Sequence, residues 1–263
     1  MSKKRLFRVP NKGYSSSFDS LQAIGGLTLA LDYRFGVFTD TALTTRAAIG
    51  QTVKGWQDRS GNGYHATEAT NPPTLAADGL TFDGANDVLR VARMTGQFSA
   101  GFSYFVVATL VDGVPAATNI FLGASSAAPV NGYFQSRIAS NGTYVNRVTE
   151  NTTNLSAPAI QTFADGSVST FIATITANPG ATQQSYFNAV VSGSASLAGV
   201  AWLNIAGSIT EAPFLGALNN NGSVGSPTAC TIKSLLIYNR PLSTTELLTV
   251  HRYLGSQFSI TVP

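Results

Sequence analysis

Trp56-Gln57-Asp58-Arg59-Ser60-Gly61-Asn62-Gly63-Tyr64-His65-Ala66-Thr67, followed by Pro72-Pro73-Thr74-Leu75 and then Gly79-Leu80-Thr81-Phe82-Asp83-Gly84-Ala85-Asn86-Asp87-Val88-Leu89-Arg90-Val91, is the stretch whose reading decides the fold. Asp83-Gly84 is a tight-turn pair. The runs on either side of it, Gly79 to Phe82 and Val88 to Ala92, have the composition of strands. The same pattern extends outward. Leu27 to Tyr33 alternates apolar with small or polar residues, which is the strand period. Further candidates are Phe102 to Leu110, Ile120 to Gly123, Tyr133 to Ile138, Thr143 to Val148, Thr170 to Thr176, Gln184 to Val191, Phe214 to Leu218 and Cys230 to Tyr238. Turn formers such as Asp112-Gly113, Asn141-Gly142 and Asp165-Gly166 separate them. Many short strands with regular turn signals indicate a sandwich or a barrel, not a parallel α/β sheet.

One helix stands apart from this pattern. Ser243-Thr244-Thr245-Glu246 is a capping box, in which the serine accepts from the backbone of Glu246 and the glutamate reaches back. Leu247, Val250, Leu254 and Phe258 follow at helical spacing and make one apolar face. His251 is expected on the solvent face of that helix, and His65 in a turn.

The chain has 263 residues, enough for one large β-sandwich whose core needs no disulfides. Charged residues are only 11%, against about 25% in ordinary soluble domains. The single cysteine, Cys230, lies in an apolar run and is expected to be buried. The net charge of +3 is uneven: Lys3, Lys4, Arg5, Arg8 and Lys12 carry +5, so the rest of the chain is at −2. A basic arm on a near-neutral body excludes a specific nucleic-acid-binding sandwich, which needs a charged stripe on the folded domain. Residues 1–26 are expected to form a basic arm and lead-in, and 27–263 the sandwich. The basic start lacks an apolar signal-peptide core, and no run is long enough for membrane insertion. Synthesis in a host cytoplasm follows as the expectation.

The opening stretch, together with Ile232-Lys233-Ser234-Leu235-Leu236-Ile237-Tyr238-Asn239-Arg240-Pro241-Leu242-Ser243 and Glu246, resembles the laminin-G-like branch of the concanavalin A-like lectin/glucanase superfamily. The resemblance spans about Leu27 to Phe258. It implies an all-β, antiparallel jelly-roll sandwich with one C-terminal helix. That fold carries lectins, glycosidases and structural modules alike, so function has to come from particular residues.

Paired carboxylates are the first test. Glycosidases flank the scissile bond with two acids, and the glucanases of this superfamily carry them on one alternating-acid strand. Here Glu68, Glu150, Glu211 and Glu246 are widely separated, and no such strand exists. The expectation is therefore a protein that is not an enzyme. Asp58, Asp83 and Asp87 are the candidate calcium ligands, since clustered oxygen donors suit that ion. The favoured reading of the same residues is turn chemistry, with no metal or other cofactor. Tyr133, Arg137 and Tyr144 form a candidate glycan face by alternation. Lys3, Lys4, Arg5, Leu6, Phe7 and Arg8 form a candidate partner-binding arm.

Modules of this type with a basic arm and no export signal look like virion components of tailed bacteriophages. The resemblance thus implies a non-enzymatic decoration, fibre or tail-associated protein. It would be anchored by its arm to other capsid or tail proteins, oligomeric in the assembly, and able to bind cell-surface glycans. The alternatives are a stand-alone carbohydrate-binding lectin and, third, a glycoside-active enzyme.

Overall fold

The alternating runs of the sequence become two sheets and a helical layer. The computed structural model describes residues 18–116, 118–125, 133–150, 153–198, 213–220 and 222–263. Side chains at 119, 125, 133, 134, 147–150, 153–161 and 220 lie outside the description. In chain order the strands are β1 (Leu27–Asp32), β2 (Val37–Phe38), β3 (Gly55–Trp56), β4 (Ala66–Thr67), β5 (Thr74–Ala76), β6 (Gly79–Asp83), β7 (Leu89–Val91), β8 (Phe102–Leu110), β9 (Asn119–Ser125) and β10 (Tyr133–Ile138). They continue with β11 (Thr143–Glu150), β12 (Thr153–Thr162), β13 (Thr170–Ala177), β14 (Thr182–Phe187), β15 (Val190–Ser196), β16 (Phe214–Leu215), β17 (Leu218–Asn220), β18 (Ser223–Gly225) and β19 (Ala229–Tyr238).

The first sheet runs β15-β14-β13-β8-β19-β6-β5, with β1 also on β19. The second runs β12-β11-β10-β9-β16-β7-β4-β3-β2, with the β17–β18 hairpin joined to β9. Pairing is antiparallel except between β17 and β9. The sheets face each other across a core that includes Trp56, Phe82, Tyr104, Phe121, Phe171 and Ile237. This is the expected all-β sandwich with its C-terminal helix.

Strands β8 and β13 are buried on both faces and read as nearly continuous apolar runs. Their outer faces, with Phe105, Val107 and Ile172, pack against the helix Thr244–Phe258 through Leu247, Val250, Tyr253 and Leu254. Each such side chain contributes roughly 1.5–3 kcal/mol when removed from water. β19 also serves both interfaces, and a bulge between Ile232 and Ser234 switches which of its residues face which. Before the bulge Cys230 and Ile232 face the inter-sheet core. After it Leu235 and Ile237 do, while Leu236 and Tyr238 turn to the helix. One extra residue shifts the side-chain parity.

The capping box is present as expected. Ser243 Oγ accepts from Glu246 N at 3.4 Å, and Ser243 N donates to Glu246 Oε2 at 2.8 Å. Arg240 adds two hydrogen bonds to the same carboxylate, at 2.7 and 3.1 Å. With those of Ser243, they hold the Glu246 carboxyl at about 2, well below the ordinary range.

Two expectations need correction, and two elements were not anticipated. His251 is not on the solvent face; it is 1% exposed. Its Nδ1 lies 2.9 Å from Leu247 O, its Nε2 3.1 Å from Thr174 Oγ1, and its ring packs edge-on to Phe105. Position 251 lies one turn after Leu247, so helical spacing itself puts it on the packed face. Gln184 to Val191 is not one strand but a hairpin. Asn188 and Ala189 both have positive φ, as a two-residue primed turn requires, and Asn188 Oδ1 anchors the turn by accepting from Ile172 N at 2.8 Å. Thr153–Thr162 is a strand despite Pro158, because β12 pairs only with β11 and stands at a sheet edge. Lastly, the lead-in contains a helix, Phe18–Ala23, with Leu21 fully buried.

Candidate functional site

The Trp56–Ala66 motif acts first on a strand edge. β1 pairs with β19 on one side only, which leaves backbone groups of Thr28 and Ala30 facing away from the sheet. The loop after β3 satisfies them. Asp58 Oδ1 accepts from Ala30 N at 2.9 Å, Arg59 N donates to Ala30 O at 2.8 Å, and Ser60 Oγ donates to Thr28 O at 2.8 Å. Asn62 Nδ2 donates to the carbonyls of Leu27 and Thr28, both at 3.0 Å. The loop can fold back this tightly because Gly61 and Gly63 take positive φ, which glycine adopts without steric cost. Asp58 also accepts from Ser60 N, Ser60 Oγ and Tyr64 N, and His65 Nδ1 accepts from Asp58 N at 3.0 Å.

This loop carries Arg59 to the end of β1, where several segments meet. Asp32 closes β1 and is nearly buried. Its Oδ1 accepts from Arg34 N at 3.1 Å and Arg34 Nε at 2.9 Å, and its Oδ2 from an Arg34 terminal nitrogen at 2.5 Å. Arg34 also donates to Gln257 Oε1 at 3.0 Å and lies over the Phe258 ring at 4.8 Å. The Asp32 bond holds the Arg34 guanidinium above its ordinary pKa. Arg59 lies over two rings, 4.1 Å from the Phe18 centroid and 4.0 Å from that of Phe35. Phe35 is 46% exposed, a large ring at the surface. Two guanidinium groups, one carboxylate and an exposed aromatic plane are thus assembled at one end of β1.

The acidic candidates are turn residues in geometry. Asp83 Oδ1 accepts from the backbone of Ala85, Asn86 and Asp87, and Asp87 Oδ2 accepts from Asp83 N at 3.0 Å. Those donors hold the Asp83 carboxyl below its ordinary range against the opposing effect of burial. Burial, with the neighbouring Asp83 charge, raises that of Asp87. Among the described residues no three His, Cys, Asp or Glu side chains gather as a metal set.

The candidate glycan face does not hold together. In the β10–β11 hairpin Tyr144 stands opposite Ile138, whereas Arg137 stands opposite Val145. Cross-strand partners share a face, so Tyr144 points away from the side that carries Arg137. Tyr144 is fully buried, inside a hydrogen-bonded network with Ser136 (3.0 Å) and Asn146 (2.7 Å), which Tyr104 joins from the other sheet. Burial raises the Tyr144 hydroxyl to about 12. Arg137 is half-buried, and the side chain of Tyr133 lies outside the description. The arm residues Lys3, Lys4, Arg5, Leu6, Phe7 and Arg8 also lie outside the described residues. Sequence reasoning missed Phe18, Arg34, Phe35 and Arg59. Arg59 lies inside the motif quoted at the outset, which is the one signal that pointed to it.

No protein-family model matches the chain, and no curated protein matches it. Solved structures do. Trypanosoma rangeli sialidase in complex with sialic acid is 16% identical with a TM-score of 0.58; the match covers 88% of this chain and 33% of that one. A receptor binding domain is 12% identical with a TM-score of 0.61, covering 90% of this chain and 53% of the other. The receptor binding domain of botulinum neurotoxin D is 12% identical with a TM-score of 0.60, covering 86% and 52%. This chain thus spans about a third of the sialidases' length. At these identities the likeness shows the fold, a β-sandwich. It also corrects one expectation. Sialidases are enzymes, and a chain of theirs contains this fold. The missing alternating-acid strand therefore does not make this chain a non-enzyme.

Proposed function

We propose that this chain is a glycan-binding β-sandwich module that serves in attachment, in the setting of a tailed-phage particle. The observation that carries the reading is the Arg34–Phe35–Arg59 surface, on a fold that also occurs in receptor binding domains. An exposed aromatic ring beside fixed polar groups suits a sugar, which offers an apolar C–H face and a polar rim. The basic arm supports a second contact, with other capsid or tail proteins, in an oligomeric assembly. Among the described residues no helix is long and apolar enough to cross a membrane.

A glycan array probed with the full chain tests the binding reading. Saturable binding to a subset of glycans is expected, and absence of binding across the array refutes it. For the particle, mass spectrometry of purified virions should detect the chain, and deletion of residues 1–17 should abolish its incorporation. Normal occupancy by the truncated chain would move the anchor to the sandwich.

A further inference from the structure

We infer that the surface at the end of β1 is a subsite for a carboxylate-bearing sugar, with Arg59 gripping the carboxylate and Phe35 stacking on the ring. The inference rests on the glycan-binding reading and names its ligand class.

The charge arrangement comes first. Asp32 is matched by Arg34, which takes both of its oxygens. Arg59 approaches the same carboxylate only to 3.7 Å, beyond hydrogen-bond length. The cluster of Arg34, Arg59 and Asp32 therefore keeps one positive charge in excess, with Arg59 the more loosely matched of the two guanidinium groups. The Arg59 guanidinium lies over both the Phe18 and the Phe35 ring, 4.1 and 4.0 Å from their centroids, so its N–H groups are what it has left to offer a ligand. Tyr253 takes part of that capacity. The rest is a planar fork packed against two rings, and such a fork matches the two oxygens of a carboxylate. Because the rings already hold it, little side-chain entropy is lost on binding.

Phe35 supplies the second half. Its ring is a large exposed apolar surface directly beside the fork. A ligand that used both would carry a carboxylate within a few ångströms of an apolar ring face, as an acidic sugar does.

The strand edge argues against a peptide. Extended peptides commonly bind by adding a strand to an open sheet edge. Here the outward groups of Thr28 and Ala30 are already taken by Asp58, Arg59, Ser60 and Asn62. An extended chain finds no backbone partners beside Arg59, whereas a sugar ring needs none.

The test compares glucuronate-, galacturonate- and sialic acid-terminated glycans with their methyl esters, which lack the negative charge, using the full chain. At least one acid is expected to bind roughly tenfold or more tightly than its ester. Arg59→Lys keeps the charge but loses the fork and the stacking, and should weaken that binding about tenfold. Phe35→Ala, at an exposed position with little effect on folding, should weaken it by a similar factor. Equal binding of acids and esters, or acid binding untouched by both substitutions, overturns the subsite while leaving the glycan-binding reading in place. Binding of a poly-glutamate peptide in preference to every acidic glycan also overturns it. No glycan bound at all removes both.

Discussion

Replacing Asp58 by alanine should strip β1 of its edge cover. The carboxylate accepts four hydrogen bonds: from Ala30 N at 2.9 Å, Ser60 N at 2.8 Å, Ser60 Oγ at 2.7 Å and Tyr64 N at 3.1 Å. Asp58→Ala orphans three backbone N–H groups, of which that of Ala30 is buried. A buried unsatisfied donor costs about 1–3 kcal/mol, and the two in the loop recover part of theirs from water. The expected loss is about 3 kcal/mol, or a melting temperature lower by roughly 9 °C in a chain of this length. Asp58→Asn should cost about a third of that. One amide oxygen can still serve Ala30 and Ser60, but its NH2 then confronts the N–H of Tyr64. Urea unfolding of the three proteins, with the slope checked for constancy, measures both differences. A loss below about 0.5 kcal/mol for Asp58→Ala, or equal losses for the two variants, would show that the loop is not held by this carboxylate.

Other expectations follow from the same geometry. Burial lowers His251 to about 4 from its ordinary 6.5, so between these values the unfolded chain holds more protons than the folded one. Stability should therefore fall by ~3 kcal/mol as pH drops from about 6.5 to about 4, with no further slope from this group outside that window; His251→Leu should flatten the curve in thermal melts taken across that range. Ser243→Ala should cost about 1 kcal/mol, read by urea unfolding, because it removes the acceptor for the first turn of the C-terminal helix. EDTA should leave the melting temperature unchanged within about 2 °C, since backbone donors occupy Asp58 and Asp83; a fall of more than about 8 °C would reveal a tightly held cation.

Much of the architecture is local and was legible as such. Period-two alternation in Leu27 to Asp32, the Asp83-Gly84 turn and the Ser243–Glu246 box each act over a few residues, so their chemistry is readable without the fold. Even the burial of His251 was written in its spacing from Leu247; its polarity obscured the signal. Sequence also placed Arg59 inside the motif that defines the chain. Only the tertiary structure decided which way side chains point where parity depends on one residue. The register of the β10–β11 hairpin sends Tyr144 inward, and the bulge before Ser234 decides which β19 side chains face which core. The candidate site belongs to the same class. Phe18, Asp32, Phe35, Arg59 and Phe258 come from four separate segments, and no local period relates them. They meet because β19 positions β1, the motif loop lies along the outer edge of β1, and the two helices pack on the same sheet face. Contacts between segments distant in sequence are a property of packing, which local propensity does not encode.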